Sequence, residues 1–535
     1  MREPLELKLQ SKNYMDCLDI LIYSVACWLK RDYRMQYAEA WGFDYSCEPK
    51  KRIYERIGCG RGEEYKYLEK YHGIKLLPIN ITEEEFAKLV ETEEIPLLFQ
   101  YDAFWANWME DTYQRLHMFG HHVLVTGYNK NTKEVFILDS QEASEGRWCS
   151  SEEFYKGIVS SYKIRPIDNY NCEIEEKEVL EIILGRVSSN ESQGKRGIVE
   201  NMELFIEDME NVFDIELEVR PYLSNFVECR LLTTINDVAK SRKKAAVAIE
   251  CIRESSGNGN LTLLANRLHE LGELWKQAFG VFVKYCYMND NDRIRKKVVK
   301  KLKEIKDKEA EAIQFLQECY SEEQIVTLPK SDNKVVDLFE EAIPDYCCKH
   351  INIEKYYNNM GCYGMLSDET KAELSNPYRY LWVEGNEISG FDTQNMLEEK
   401  YDNIICQRQK ILVDEQINEH SKIMFLMCSE FTSCEILVEL NFDDGSSENL
   451  KVGVTSWLYP EPEYSDRIAL AGTPVQRKGE GVPNAFCYNF SGNIYSSWYK
   501  MKCAGKRLKT ILLPECENVH VFAISIANYV GGKEV

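Results

Sequence analysis

The residues of this chain whose types and spacing best suit covalent chemistry are a cysteine near the N-terminus and a histidine and an aspartate much later. Cys17 stands in Asn13-Tyr14-Met15-Asp16-Cys17-Leu18, at the start of an apolar, helically spaced run to about Leu29. The N-terminal end of such a helix carries partial positive charge and favours a thiolate. His121 and His122 open the apolar segment that runs from Val123 to Gly127-Tyr128; a polar turn from Asn129 to Lys133 reverses the chain, and Val135 to Leu138 leads to Asp139. An imidazole oriented by a carboxylate can take the proton of a thiol, and the thiolate can then attack a carbonyl. Strand side chains alternate between faces, so if His121 faces the cleft, Val123 and Val125 share its side and His122 points the other way. His117 lies in the loop before the strand. The plainer readings are that paired histidines are structural and that one cysteine among 19 belongs to a core.

These residues need a scaffold, and 535 residues suffice for two to four domains with their own cores. The composition, 44% hydrophobic and 29% charged, is that of a folded soluble protein, and its three differently patterned regions make the expected fold class α+β multidomain. No run of eighteen apolar residues exists, and Met1-Arg-Glu-Pro-Leu-Glu6 has no signal-peptide pattern, so a cytoplasmic protein without a membrane span is expected. The cysteines are scattered with no C-x-x-C spacing, which points to reduced thiols rather than to a disulfide framework or a metal site. A formal charge of -23 argues against nucleic acid as a partner.

Three regions follow from the periodicity. Residues 1–172 alternate helix and strand: helices are predicted at Cys17 to Leu29 and Glu83 to Glu91, strands at Lys75 to Pro78, Ile95 to Tyr101, Val123 to Tyr128 and Val135 to Asp139. The Gly58 to Gly62 cluster lacks a preceding strand and a following G-K-[ST]; with no Walker A motif elsewhere, an ATP-dependent ligase is disfavoured. Residues 173–330 read as helices, at Lys177 to Leu184, Gly197 to Phe213, Thr233 to Glu254, Leu261 to Tyr287 and Asp292 to Tyr320, with a break at Ser255 to Gly259. His269 reads as structural. Arg293 to Lys308 is an amphipathic helix with a basic face, either solvated or a dock for an acidic partner. Residues 334–535 carry short β-branched runs (Ile423 to Met427, Cys434 to Leu440, Leu450 to Val454, Val519 to Ile526) between turns such as Asp443 to Ser446, as in a β-sandwich. Trp457, Tyr459, Tyr495, Trp498 and Tyr499 are there either to stack on a carbohydrate or to fill the sandwich.

With these residues in place, the first two regions resemble the butirosin biosynthesis protein H family, whose N-terminal domain is similar to the bacteriocin-processing cysteine peptidases and is papain-like. The resemblance is carried by Asn13 to Cys17, by Trp41-Gly42-Phe43-Asp44-Tyr45, by Pro96 to Asp102 with Trp108 and Tyr113 after it, and by His117 to Tyr128 leading to Asp139. Papain-like enzymes place a histidine, one arbitrary residue and four mostly apolar residues before Gly-Tyr, a frame that selects His121 and leaves His122 where a small or apolar residue is usual. They also carry a glutamine about six residues before the cysteine for the oxyanion hole; that spacing gives Ser11, with Gln10 one residue off. The third region looks like the sandwich modules beside some glycosidases, through Ile353 to Gly361, Val438 to Leu450 and Leu508 to Ile526.

The resemblance implies a cysteine-dependent acyltransferase of natural-product biosynthesis. An acyl group would pass from the phosphopantetheine thioester of an acyl carrier protein or assembly-line synthetase to Cys17, then to a small-molecule amine. No cofactor need be bound by the protein itself. Cys17, His121 and Asp139 would be catalytic, with Gln10 or a neighbour at the oxyanion and Asp102, Trp108, Tyr113, His117 and His122 around the pocket; Asp102 could equally cap a helix. Two alternatives stay open: a papain-like peptidase or isopeptidase using the same three residues, and a non-catalytic scaffold whose sandwich binds carbohydrate.

Overall fold

The computed structural model describes residues 3–48, 51–59, 64–92, 96–109, 117–168, 170–189, 194–222, 229–286, 291–321, 346–359, 361–363, 378–382, 388, 391–393, 401–430, 432–476 and 492–529. Tyr113, Ile95 and Gly60 to Gly62 lie outside them. The chain is a mixed helix and sheet protein with several sheets.

The first region is built on an antiparallel six-stranded sheet of β1 (Ile74–Ile79), β2 (Leu97–Tyr101), β3 (His121–Asn129), β4 (Glu134–Asp139), β5 (Ala143–Ser150) and β6 (Ile158–Pro166), in the order β1-β6-β2-β3-β4-β5. Strand alternation splits its apolar residues cleanly. Leu98, Leu124, Leu138 and Ile164 face α1 (Cys17–Trp28), whereas Phe99, Val123, Val125, Val135 and Ile137 face the opposite way. That second face is covered by α2 (Glu83–Thr92), through Phe86 and Val90, and by α3 (Ser151–Lys156), through Phe154. Gly127 has a packing reason: Leu5 N–H bonds to the Thr126 carbonyl, and a Cβ on Gly127 would sit 3.0 Å from the Pro4 backbone. Strands β5 and β6 go beyond the sequence expectation, because Ser160, Ser161, Lys163 and Arg165 interrupt the apolar pattern of β6 although it runs between β1 and β2.

The second region is helical, as its periodicity predicts: α4 (Glu176–Val187), α5 (Ile198–Asn211), α6 (Arg230–Ser256), α7 (Gly259–Cys286) and α8 (Asn291–Ser321). It does not have a core of its own. A single apolar cluster runs from Leu7 and Leu21 of the first region to Leu316 and Cys319 of α8, so residue 172 divides the sequence and not the packing. Trp41-Gly42-Phe43-Asp44-Tyr45 is the docking segment. Trp41 Nε1 donates to Glu309 at 2.8 Å, Phe43 stacks on Trp275 with centroids 5.6 Å apart, and Tyr45 OH donates to Asp208 at 2.8 Å. Arg242 and Glu309, both fully buried, pair at 2.7 Å beneath it.

The basic face of α8 is largely engaged by the chain itself. Lys297 pairs with Glu517 at 2.5 Å and Lys300 with Glu515 at 2.9 Å in the third region, while Lys303 and Lys306 pair with Glu210 and Glu203 of α5. These are surface pairs, with Lys300 67% and Lys303 53% exposed, so the face is solvated as well as paired within the chain. A cavity of about 1170 Å³ lies between α7, α8 and the third region, and none of its lining residues borders Cys17.

In the third region, strands β7 (Tyr346–Ile351), β8 (Ile404–Gln407), β9 (Lys410–Gln416), β10 (Lys422–Ser429), β11 (Cys434–Phe442), β12 (Ser447–Val454), β13 (Arg467–Gln476), β14 (Gly492–Lys500), β15 (Arg507–Leu512) and β16 (Glu515–Tyr529) fall into two sheets. The four-stranded sheet has the order β9-β15-β11-β12; the eight-stranded sheet contains β13-β14-β10-β16-β8, with β7 also on β16. They share an apolar core of Ile411, Val438, Ile511, Phe425, Ile524 and their neighbours. The five aromatic residues do not form an exposed stacking surface: Trp457 and Tyr495 are buried on the outer face of the larger sheet, Tyr495 OH donates to the Tyr459 carbonyl at 2.6 Å, and Trp498 and Tyr499 are half-buried. Among the described residues, no helix is long and apolar enough to cross a membrane.

Candidate active site

Asp16 caps α1 and makes Cys17 its first helical residue. The cap is reciprocal: Asp16 Oδ1 accepts the Asp19 N–H at 3.1 Å, and Asp19 Oδ2 accepts the Asp16 N–H at 3.0 Å. The Cys17 N–H thus belongs to the first turn, where the helix itself supplies no acceptor. The thiol is half-buried, its sulfur 3.8 Å from the Gly120 carbonyl oxygen and 4.0 Å from His122 Nδ1.

The two histidines reach this point from opposite faces of β3. His121 shares the Val123 face and is buried; His122 shares the Leu124 face, which packs toward α1. At the end of the strand, where α1 begins, both rings stand beside the sulfur, so alternation separates their surroundings without separating their access to Cys17. His121 Nε2 bonds to Asp139 Oδ2 at 2.7 Å, and the Cys17 side chain is close enough to act electrostatically on this imidazole. With Nε2 given to Asp139, Nδ1 is the nitrogen left for the thiol. Burial opposes protonation of His121, yet Asp139 and Cys17 together outweigh it and hold the imidazole up at about 9. Burial likewise raises Asp139, but His121, Trp108 and the Gln141 N–H bring it below the usual carboxylate range.

Trp108 differs from its expected place in a pocket wall. It is buried, and its Nε1 donates to Asp139 Oδ2 at 2.9 Å, the same oxygen that holds His121. Asp102 is also buried and acts as a cap: Oδ1 accepts the N–H groups of Phe104 at 3.2 Å and Met118 at 3.1 Å, while Oδ2 binds His117 Nδ1 at 2.7 Å. His117, 58% exposed, stacks on Phe104 with centroids 4.2 Å apart, and Trp105 and Phe119 are exposed nearby. This rim is tied to the thiol through Gly120, since the adjacent Phe119 carbonyl is held by Gln100 Nε2 at 2.7 Å.

Gln10 is placed elsewhere. Its N–H donates to Ser24 Oγ at 2.8 Å and its side-chain oxygen lies 3.8 Å from Cys27 Sγ, beside the last turn of α1. Cys27 is ten residues beyond Cys17, and at 1.5 Å per residue that is about 15 Å along the axis. Gln10 therefore does not face an oxyanion at Cys17, and Cys17 N–H and His122 are better placed. Lys244, which the sequence reading passed over, also belongs to this neighbourhood: Nζ lies 2.6 Å from Asp19 Oδ2 and 3.1 Å from Asp16 Oδ2. The available signal was weak: Lys244 closes the basic stretch Lys240 to Lys244 and directly precedes the apolar run Ala245 to Ile249. No protein-family model matches this chain, and no curated protein matches it.

Proposed function

We propose that the protein is a cysteine-dependent acyltransferase with a papain-like N-terminal region, making an amide from a carrier-borne thioester and an amine. The observation that carries this reading is a thiol at a helix N-terminus beside two adjacent histidines, one of them held at Nε2 by a buried aspartate. In the proposed reaction the Cys17 proton passes to His121 Nδ1, and the thiolate attacks the thioester carbonyl. Cys17 N–H and an Nδ1–H of His122 receive the oxyanion. Collapse breaks the bond to the donor sulfur, which leaves with the proton from His121. The amine then attacks the Cys17 thioester, His121 takes the amine proton, and the Cys17 sulfur leaves as the amide forms. Asp139 keeps the imidazole in the productive tautomer throughout and stabilises its cation.

Transfer needs no nucleotide, because the thioester supplies the driving force. The resemblance to the butirosin biosynthesis protein H family supports a phosphopantetheine-bound donor, a small-molecule amine acceptor and a cytoplasmic setting in natural-product biosynthesis. The test is incubation with acyl-phosphopantetheine carrier protein and a panel of amines, read by intact mass. An acyl adduct on Cys17 that yields amide is expected. Water as the sole acceptor, with cleavage of peptides, overturns transfer in favour of a peptidase; no adduct and no thiol reactivity above that of a free cysteine overturns the enzyme reading altogether.

A further inference from the structure

The turn that presents Cys17 has a carboxylate on each side, Asp16 before it and Asp19 two residues after it. Two negative charges beside a helix N-terminus offset the field that favours a thiolate there. Lys244 reaches both carboxylates from α6, and its side chain is only 4% exposed. A lysine taken this far out of water stays charged only with such partners. Burial pushes Asp19 up, and Lys244 draws it back toward the ionised form. The flanking residues fix the backbone that carries Lys244: Arg242 bonds to Glu309 and Lys243 to Glu273. The other titratable groups facing this turn are His121 and His122 from β3, and Tyr14, Tyr33, Tyr37 and Glu250 behind the cap. The Lys244 ammonium lies 5.6 Å from the Tyr37 ring centroid.

We infer that Lys244 is a positioning residue for Cys17: acting through Asp16 and Asp19, it closes the capping turn and offsets part of their negative charge, so that less of the helix-end field at the thiol is lost. The inference rests on the proposed nucleophilic role of Cys17. It gives the helical region a task in the chemistry, since the cation belongs to α6 while the nucleophile and base belong to the first region.

The experiment measures the rate at which iodoacetamide labels Cys17 in the full-length protein as a function of pH, by site-resolved mass spectrometry, with exposed Cys47 and Cys172 as internal references. Lys244→Met is expected to move the midpoint of labelling upward by about one pH unit and to slow labelling near pH 7 by about tenfold. Lys244→Arg, which keeps the charge, is expected to restore most of both. Asp16→Asn removes a negative charge from a half-buried position, keeps a capping residue, and is expected to move the midpoint down; it remains informative should Lys244→Met fail to fold. A folded Lys244→Met protein that labels as wild type at every pH, or an Asp16→Asn protein with an unmoved midpoint, overturns the inference. A wild-type Cys17 that labels no faster than Cys47 instead overturns the nucleophile reading on which it rests.

Discussion

Two histidine–carboxylate pairs are buried in this molecule with almost the same geometry and opposite prospects. In the first region His121 Nε2 meets Asp139 at 2.7 Å; in the third, His520 Nε2 meets Glu430 at 2.8 Å. The difference lies in what else each partner touches. His121 stands beside a thiol at a helix end, whereas His520 Nδ1 is closed off by Asn403 at 2.8 Å and Asn359 at 3.2 Å. Asp139 is reserved for His121 by neutral donors, Trp108 and the Gln141 N–H, but Glu430 also serves the Lys284 ammonium at 2.8 Å. The outcomes follow from that sharing. Burial opposes a charge on both imidazoles; Asp139 overcomes it and His121 is held up, while Glu430 does not and His520 falls below its ordinary value. A buried pair is thus a structural brace until one of its atoms is left facing a reactive group.

The contrast breaks most sharply on the proposed nucleophile. Cys17→Ala is expected to reduce acyl transfer by at least about 10³-fold with unchanged thermal unfolding, and Asp139→Asn by roughly 10²- to 10⁴-fold, both read as kcat/KM. His520→Gln is expected to leave transfer and Cys17 labelling as they are, and to lower stability in urea by about 1–3 kcal/mol. A loss of activity in folded His520→Gln would erase the distinction drawn between the pairs. Arg242→Met, which strands Glu309 in the core between Trp41 and Trp275, is expected to cost about 3–5 kcal/mol in the same urea measurement.

The pH dependence of stability should have opposite signs at the two sites. His121 is raised above its unfolded value of about 6.5, so its contribution is complete below that pH and is lost as pH rises through about 9. The stability gap between wild type and Asp139→Asn should accordingly narrow over that interval. His520 is lowered, so its contribution is present above about 6.5 and is lost as pH falls; the gap between wild type and His520→Gln should narrow in acid. Urea titrations across pH 4–10 check both, and gaps that move together would contradict the assignment. The smallest expected change is for Trp108→Phe, which keeps the packing but removes one donor to Asp139, with about a tenfold fall in kcat.

The legibility of the sequence varied with the distance over which each feature is decided. Helices of the second region, α1 and the β3-turn-β4 unit were readable because apolar periodicity within a dozen residues is enough to specify them. Strand β6 was not, since a strand with Ser160, Ser161 and Lys163 acquires its place only from the neighbours on either side. The aromatic residues of the third region were ambiguous for the same reason: a sequence does not state whether Trp457 faces solvent or the Tyr495 ring's side of a sheet.

Local chemistry therefore lay in the sequence: a thiol after a capping aspartate, an imidazole opening a strand, and a carboxylate ending the next one. The order of those residues and the strand-turn-strand between the last two follow from short-range propensity alone. Which histidine Asp139 selects, the removal of Gln10 to the far end of α1, the recruitment of Trp108, and the arrival of Lys244 from 227 positions beyond Cys17 were decided only by the packing. The physical reason is that a charge or donor buried away from water is stable only where a distant segment brings its partner, and no local pattern encodes that meeting.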